Sequence, residues 1–161
     1  MGDHVYVRFK LKKVRVDSSF LSELDACFAA VEYHHSLTLK GGKGYSLHDR
    51  HKALERAPTD EGAWRVSFGY SATGLDDNTE IHVIAVFSED EETIDSLQME
   101  THTVSYYFRP DVEIDGSEEL RQRTRIAKMV RQVIPLMHKR FKALRTEAWA
   151  GYGDKPFIVL D

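Results

Sequence analysis

Four histidines, His34, His35, His48 and His51, fall within one short region, and they are the first place to look for a metal. A zinc site needs three or four ligands converging tetrahedrally, usually histidines and cysteines with a carboxylate. His48 and His51 could share a helical face, and Asp49 is adjacent, but no cysteine partners them and no H-E-x-x-H pattern is present. Histidines in polar loops are more often solvated, so the expectation is that no metal is bound. The glycine-rich turn Gly41-Gly42-Lys43-Gly44 invites comparison with a phosphate-binding loop. Such a loop places Gly-Lys before a Ser or Thr and a helix N-terminus. Here Gly44 and Tyr45 follow Lys43, which favours an ordinary loop. The single cysteine, Cys27, lies among Phe20, Leu24, Phe28 and Val31 with no flanking cation to lower its pKa. It reads as a small buried apolar residue. No G-x-S-x-G is present, and no catalytic set and no cofactor site emerge.

The 161 residues suffice for a single domain spanning 1–161 with a real core, and 42% hydrophobic with 30% charged content is that of a globular chain. One cysteine rules out an internal disulfide framework and fits a reducing, cytoplasmic setting. No run of about eighteen apolar residues supports a membrane span, and the N-terminus enters an alternating pattern without an apolar signal core. A net charge of −4 argues against a chain built as a whole to bind nucleic acid.

Strand alternation dominates the first two thirds of the chain. Val5, Val7, Phe9 and Leu11 alternate with polar residues over 4–17, and the apolar phase flips at Val14 and Val16, which predicts a bulge at Lys12-Lys13. Phe20, Leu21, Leu24, Cys27, Phe28 and Val31 then suit one helical face, capped by Asp17 or Ser18. A short strand is expected within 32–40 and a one-sided strand from Trp64 to Ser71. Ile81 to Phe87, apolar on both faces, predicts a central strand covered on both sides. Glu89 to Glu92 is expected as a solvated loop, and Thr103 to Phe108 as a strand ending at Pro110. A helix from Ser117 to about Trp149 follows, kinked or restarted at Pro135. Strands first and helix last define an α+β fold, an antiparallel sheet of about four strands backed by a long C-terminal helix.

That helix carries Arg121, Arg123, Arg125, Lys128, Arg131, Lys139, Arg140, Lys142 and Arg145. Clustered cations on one helix supply phosphate affinity, so a nucleic-acid-binding α+β module is one reading. No groove-reading motif accompanies them, and a solvated face opposite the apolar stripe, pairing with acids at 89–95, is the preferred one. Alternation in Tyr106-Tyr107-Phe108 puts at least one large aromatic on the sheet face away from the helix, which suits a partner surface. A small metal-dependent enzyme built on His34, His35, His48 or His51 is a third reading.

The order of these pieces resembles the SecB family of export chaperones. "VRFKLKKVRVDSSF" is similar to the family's first strand, and "FAAVEYHHSLTLKG" to its Phe–aromatic–short-strand passage. "GAWRVSFGYSATGLDDNTEIHVIAVF" resembles its paired long strands, "VIPLMHKRFKAL" its apolar-Pro helix segment, and "KPFIVLD" the passage after it. The resemblance implies a dimer of dimers that holds unfolded polypeptides in apolar grooves, with neither ATP nor chemistry. Client contacts would then fall on Tyr106, Tyr107, Phe108, Ile134 and Met137. The family's export members end in an acidic, metal-binding tail that docks the SecA motor; this chain ends in Phe157 to Asp161 without one. SecA docking is therefore not carried over. The variant the missing tail favours is a dedicated chaperone of an antitoxin in a toxin–antitoxin or phage-defence system.

Overall fold

The computed structural model describes residues 5–35, 57–58, 64–72, 80–90, 92–101, 118–151 and 155–161, with 57–58 and 118–123 as backbone alone. Strand β1 (Val5–Arg15) buries Val5, Val7, Phe9 and Leu11 on one face, as the alternation predicts. Its pairing register shifts between Lys10 and Val14, so the bulge falls where the phase flips. Helix α1 (Ser18–Ala29) follows at once. Asp17 is its cap, accepting a hydrogen bond from the Phe20 amide at 3.0 Å, and the helix buries Phe20, Leu21, Leu24, Cys27 and Phe28.

Two-residue β2 (His34–His35) and β3 (Ala57–Pro58) both pair with β4 (Trp64–Ser71). Strand β5 (Ile81–Phe87) pairs with β4 and with β6 (Thr93–Thr101), and β6 pairs with β1. Glu89, Asp90 and Glu92 lie exposed in the turn between β5 and β6, where a solvated loop is expected. Asp90 closes that turn, accepting from the Glu92 and Thr93 amides and from the Thr93 hydroxyl. Those bonds, the Thr93 hydroxyl first, hold its carboxyl down at about 2. Ile94, Leu97 and Met99 do not keep strict alternation because the β5–β6 register shifts between Ala85 and Phe87. The expected strand at 103–108 lies outside the described residues, as do Gly41–Gly44 and the turn at 74–78.

Helix α2 (Glu118–Arg140) does not restart at Pro135; it runs on to Arg140. It also stops well short of Trp149, because residues 145–150 form strand β7 (Arg145–Ala150), paired with β1 and with β8 (Ile158–Leu160). Among the described residues the sheet is therefore a seven-strand antiparallel path in the order β2-β4-β5-β6-β1-β7-β8, with β3 also on β4, rather than about four strands, and two strands follow α2. The α+β class stands.

Both helices end in the same closure. At α2, the Lys142 amide donates to the Lys139 carbonyl and the Ala143 amide to His138, with Lys142 left-handed at φ 51°. At α1, Glu32 (φ 63°) and Tyr33 donate to Ala29 and Phe28 in the same way. This arrangement normally recruits glycine, since a Cβ is strained there. Lys142→Gly is therefore expected to raise stability by about 0.5–1 kcal/mol, read as a higher urea midpoint at unchanged slope.

Candidate functional site

One core cluster joins the inward residues of β1, β4, β5 and β6 to α1 and to Ile126, Met129, Val130, Val133, Ile134 and Met137 of α2. Both helices thus lie on the same face of the sheet. Among the described residues, nothing packs over the opposite face. Strand β5, expected to be covered on both sides, is covered on one among the described residues: Ile81, Val83, Ala85 and Phe87 are buried, and His82, Ile84 and Val86 are half-buried on the other side.

The register assembles that open face into rows. One row runs Gly69, His82, Glu100, Tyr6, Trp149 across β4, β5, β6, β1 and β7. The next runs Ser67, Ile84, Gln98, Arg8, Glu147, Val159. In the third, Lys10 lies between Ser96 and Arg145, and Arg65 opposes Val86. The Tyr6 and Trp149 rings meet at 6.0 Å between centroids and 40° between planes. Burial pushes the Tyr6 phenol upward, against the charge of Arg8. Val159 is 42% exposed. The face therefore offers half-exposed aromatic and aliphatic side chains framed by both signs of charge.

The residues singled out in the sequence go elsewhere. Ile134 and Met137 are fully buried between α2 and the sheet, so they build the core and present no surface to a client. Tyr106, Tyr107 and Phe108 lie outside the described residues, as do His48 and His51. His34 and His35 pair with Ser71 and Tyr70 at the β4 edge, and His35 stands edge-on to Tyr70 at 5.6 Å. Tyr70 in turn stacks on Phe28 at 4.0 Å and donates its hydroxyl to Asp25 at 2.6 Å. Among the described residues, no group of three or more His, Cys, Asp or Glu converges as metal ligands would. Cys27 is buried and free, and burial pushes its thiol up to about 11 despite the nearby Arg140 charge.

Several of the basic residues after Arg123 are engaged within the chain. Arg140 binds Glu23 at 3.1 Å, Arg145 binds Asp161 at 2.7 Å and Glu147 at 3.3 Å, and Arg131 lies over the Phe157 ring at 5.6 Å. The turn after β5 pairs with β1 through Arg15 and Glu92 at 3.2 Å. These pairs are exposed and weakly stabilising.

Tyr6, Ile84 and Val86 carry a sequence signal for the open face, because they occupy the opposite phase of recognisable strands. Trp149 does not, since its surroundings read as helix. No helix among the described residues is long and apolar enough to cross a membrane. Comparison with protein-family models, with curated proteins and with solved structures finds no match for this chain.

Proposed function

We propose that this chain is an ATP-independent holdase, a SecB-like chaperone that binds unfolded or aggregation-prone polypeptide. The single observation that supports this reading is the open sheet face, where Tyr6, Trp149, Ile84 and Val86 stand half-exposed with both helices on the far side. An extended segment laid on such a face gains apolar contact from alternate side chains with little demand on its sequence. Flanking charges of both signs, Arg8, Lys10, Glu100 and Glu147, keep the face wettable when empty. The aromatic run Tyr106-Tyr107-Phe108 belongs to the same proposal on its sequence alone.

In this reading the working form is a cytoplasmic homotetramer, a dimer of dimers, and its client is an antitoxin or another aggregation-prone chain. Light scattering should give a mass near four chains, and the protein should suppress aggregation of a chemically unfolded substrate without nucleotide. A monomer that leaves aggregation unchanged would sink the proposal. The nucleic-acid reading draws on α2 and β7, where Arg131, Arg140 and Arg145 already have partners in the chain.

A further inference from the structure

The open face is polarised along its strands. In its first row Glu100 stands beside Tyr6, and from there β1 runs through Arg8 and Lys10 to the bulge at Lys12-Lys13. Arg65 opposes Val86 on the same side of the sheet. All five cations are exposed, in a chain whose net charge is −4. Acids offset only part of that local charge. Arg8 lies opposite Glu147, but that carboxylate binds Arg145 at 3.3 Å. Lys13 lies in the field of Asp90, and Asp95 is exposed on β6 at the register gap facing the bulge. Among the described residues, Arg8, Lys10, Lys12 and Arg65 enter no ion pair.

Alternate residues of a strand point the same way at a pitch of about 6.8 Å. Tyr6, Arg8 and Lys10 therefore form an even column on the open face, which begins at the Tyr6–Trp149 ring pair and runs toward the bulge. An extended polypeptide repeats its own like-facing side chains at that same pitch. Laid along β1, it meets the column one side chain at a time. Clustered cations without partners attract negative charge and repel positive charge, which sets both partner choice and encounter rate.

We propose, resting on the holdase reading above, that the open face selects acidic extended segments of its client. An aromatic or aliphatic residue of the segment seats on Tyr6 and Trp149, and carboxylates at alternate positions beyond it meet Arg8, Lys10 and Lys12. The guanidinium of Arg8 can fork onto a carboxylate, and the two lysines add point charges. A lysine-rich segment meets like charge along the same column. A single-stranded nucleic acid fits less well, because its phosphates would meet Glu100 and Glu147 beside the ring pair on which its bases would stack.

The test is fluorescence anisotropy of the full chain with peptides Trp-Ser-Xaa-Ser-Xaa-Ser-Xaa that carry a neutral dye, each made in both chain directions, with Xaa glutamate, serine or lysine. The glutamate peptide should bind about threefold more tightly than the serine peptide and about tenfold more tightly than the lysine peptide, the scale of a few exposed ion pairs. Its advantage should shrink at high salt, which screens exposed charges. Moving its glutamates to consecutive positions should weaken binding by about threefold, since an extended chain turns one of them away from the column. Arg8→Glu combined with Lys10→Glu should invert the order of the glutamate and lysine peptides, with the circular dichroism of the parent. Equal affinity for those two peptides, or an order unchanged in the double variant, overturns the proposal and leaves the holdase reading standing. Equal affinity for alternating and consecutive acids also overturns it. So does binding of none of the peptides, and aggregation suppression measured alongside then shows whether the holdase reading falls too. A thymidine oligonucleotide that binds more tightly than the glutamate peptide at equal salt overturns it in favour of a nucleic-acid platform.

Discussion

Ile134→Ala should lower the unfolding free energy by about 3 kcal/mol, and Met137→Ala by a comparable amount. Both side chains are fully buried in the cluster that binds α2 to the sheet, where truncation removes apolar burial and leaves a cavity. Chemical unfolding in urea reads the loss directly. Leu136, between them in sequence, is 39% exposed, so Leu136→Ala should change stability by less than about 0.5 kcal/mol. The contrast within residues 134–137 separates core from surface on α2 without any appeal to a client. A loss below about 1 kcal/mol for Ile134→Ala, with client binding impaired, would return that residue to the surface.

The second large effect belongs to the open face. Tyr6→Ala combined with Trp149→Ala should weaken suppression of client aggregation by about tenfold or more, since buried aromatic anchors dominate binding surfaces. These rings face each other at 6.0 Å and are half-exposed, so the folded chain should lose little more than their mutual contact, about 1 kcal/mol. Circular dichroism and chain mass should stay at the parent values. Lys139→Ala, on the exposed side of α2, is the matched control and should leave suppression intact. Full activity in the double variant would remove Tyr6 and Trp149 from the client surface and leave the open face without its main support.

The two expectations differ in how far each was visible beforehand. Burial of Val5, Val7, Phe9, Val66, Phe68 and Phe28 follows from periodicity, because period two and period 3.6 each assign one face to the core. The Asp17 cap and the bulge near Lys12-Lys13 are equally local, each depending on a few neighbouring residues. The end of α2 is not. The segment Phe141 to Ala150 holds good helix formers, Leu144 continues the apolar stripe, and Lys142 stands where glycine would have marked a stop. What turns it into a strand is distant. The Leu144 amide donates to the Lys10 carbonyl at 2.7 Å, and Arg145 to Ala150 pair with Lys10 to Val5. Pairing with an existing strand outweighs helix preferences of a few tenths of a kcal/mol per residue, roughly.

The same distinction governs the candidate site. Taken alone, the chain's patterning is enough for an α+β class, a bulged first strand, a capped first helix and a small buried cysteine, because each depends on contacts within a few residues. Which side of β5 the helices cover, how many strands join the sheet, and that Trp149 stands beside Tyr6 depend on partners far apart in sequence. Ile84 and Val86 are as apolar as Val83 and Ala85, so hydropathy cannot choose between the two faces of that strand. Only the packing of α1 and α2 onto one side makes one face core and, among the described residues, leaves the other open.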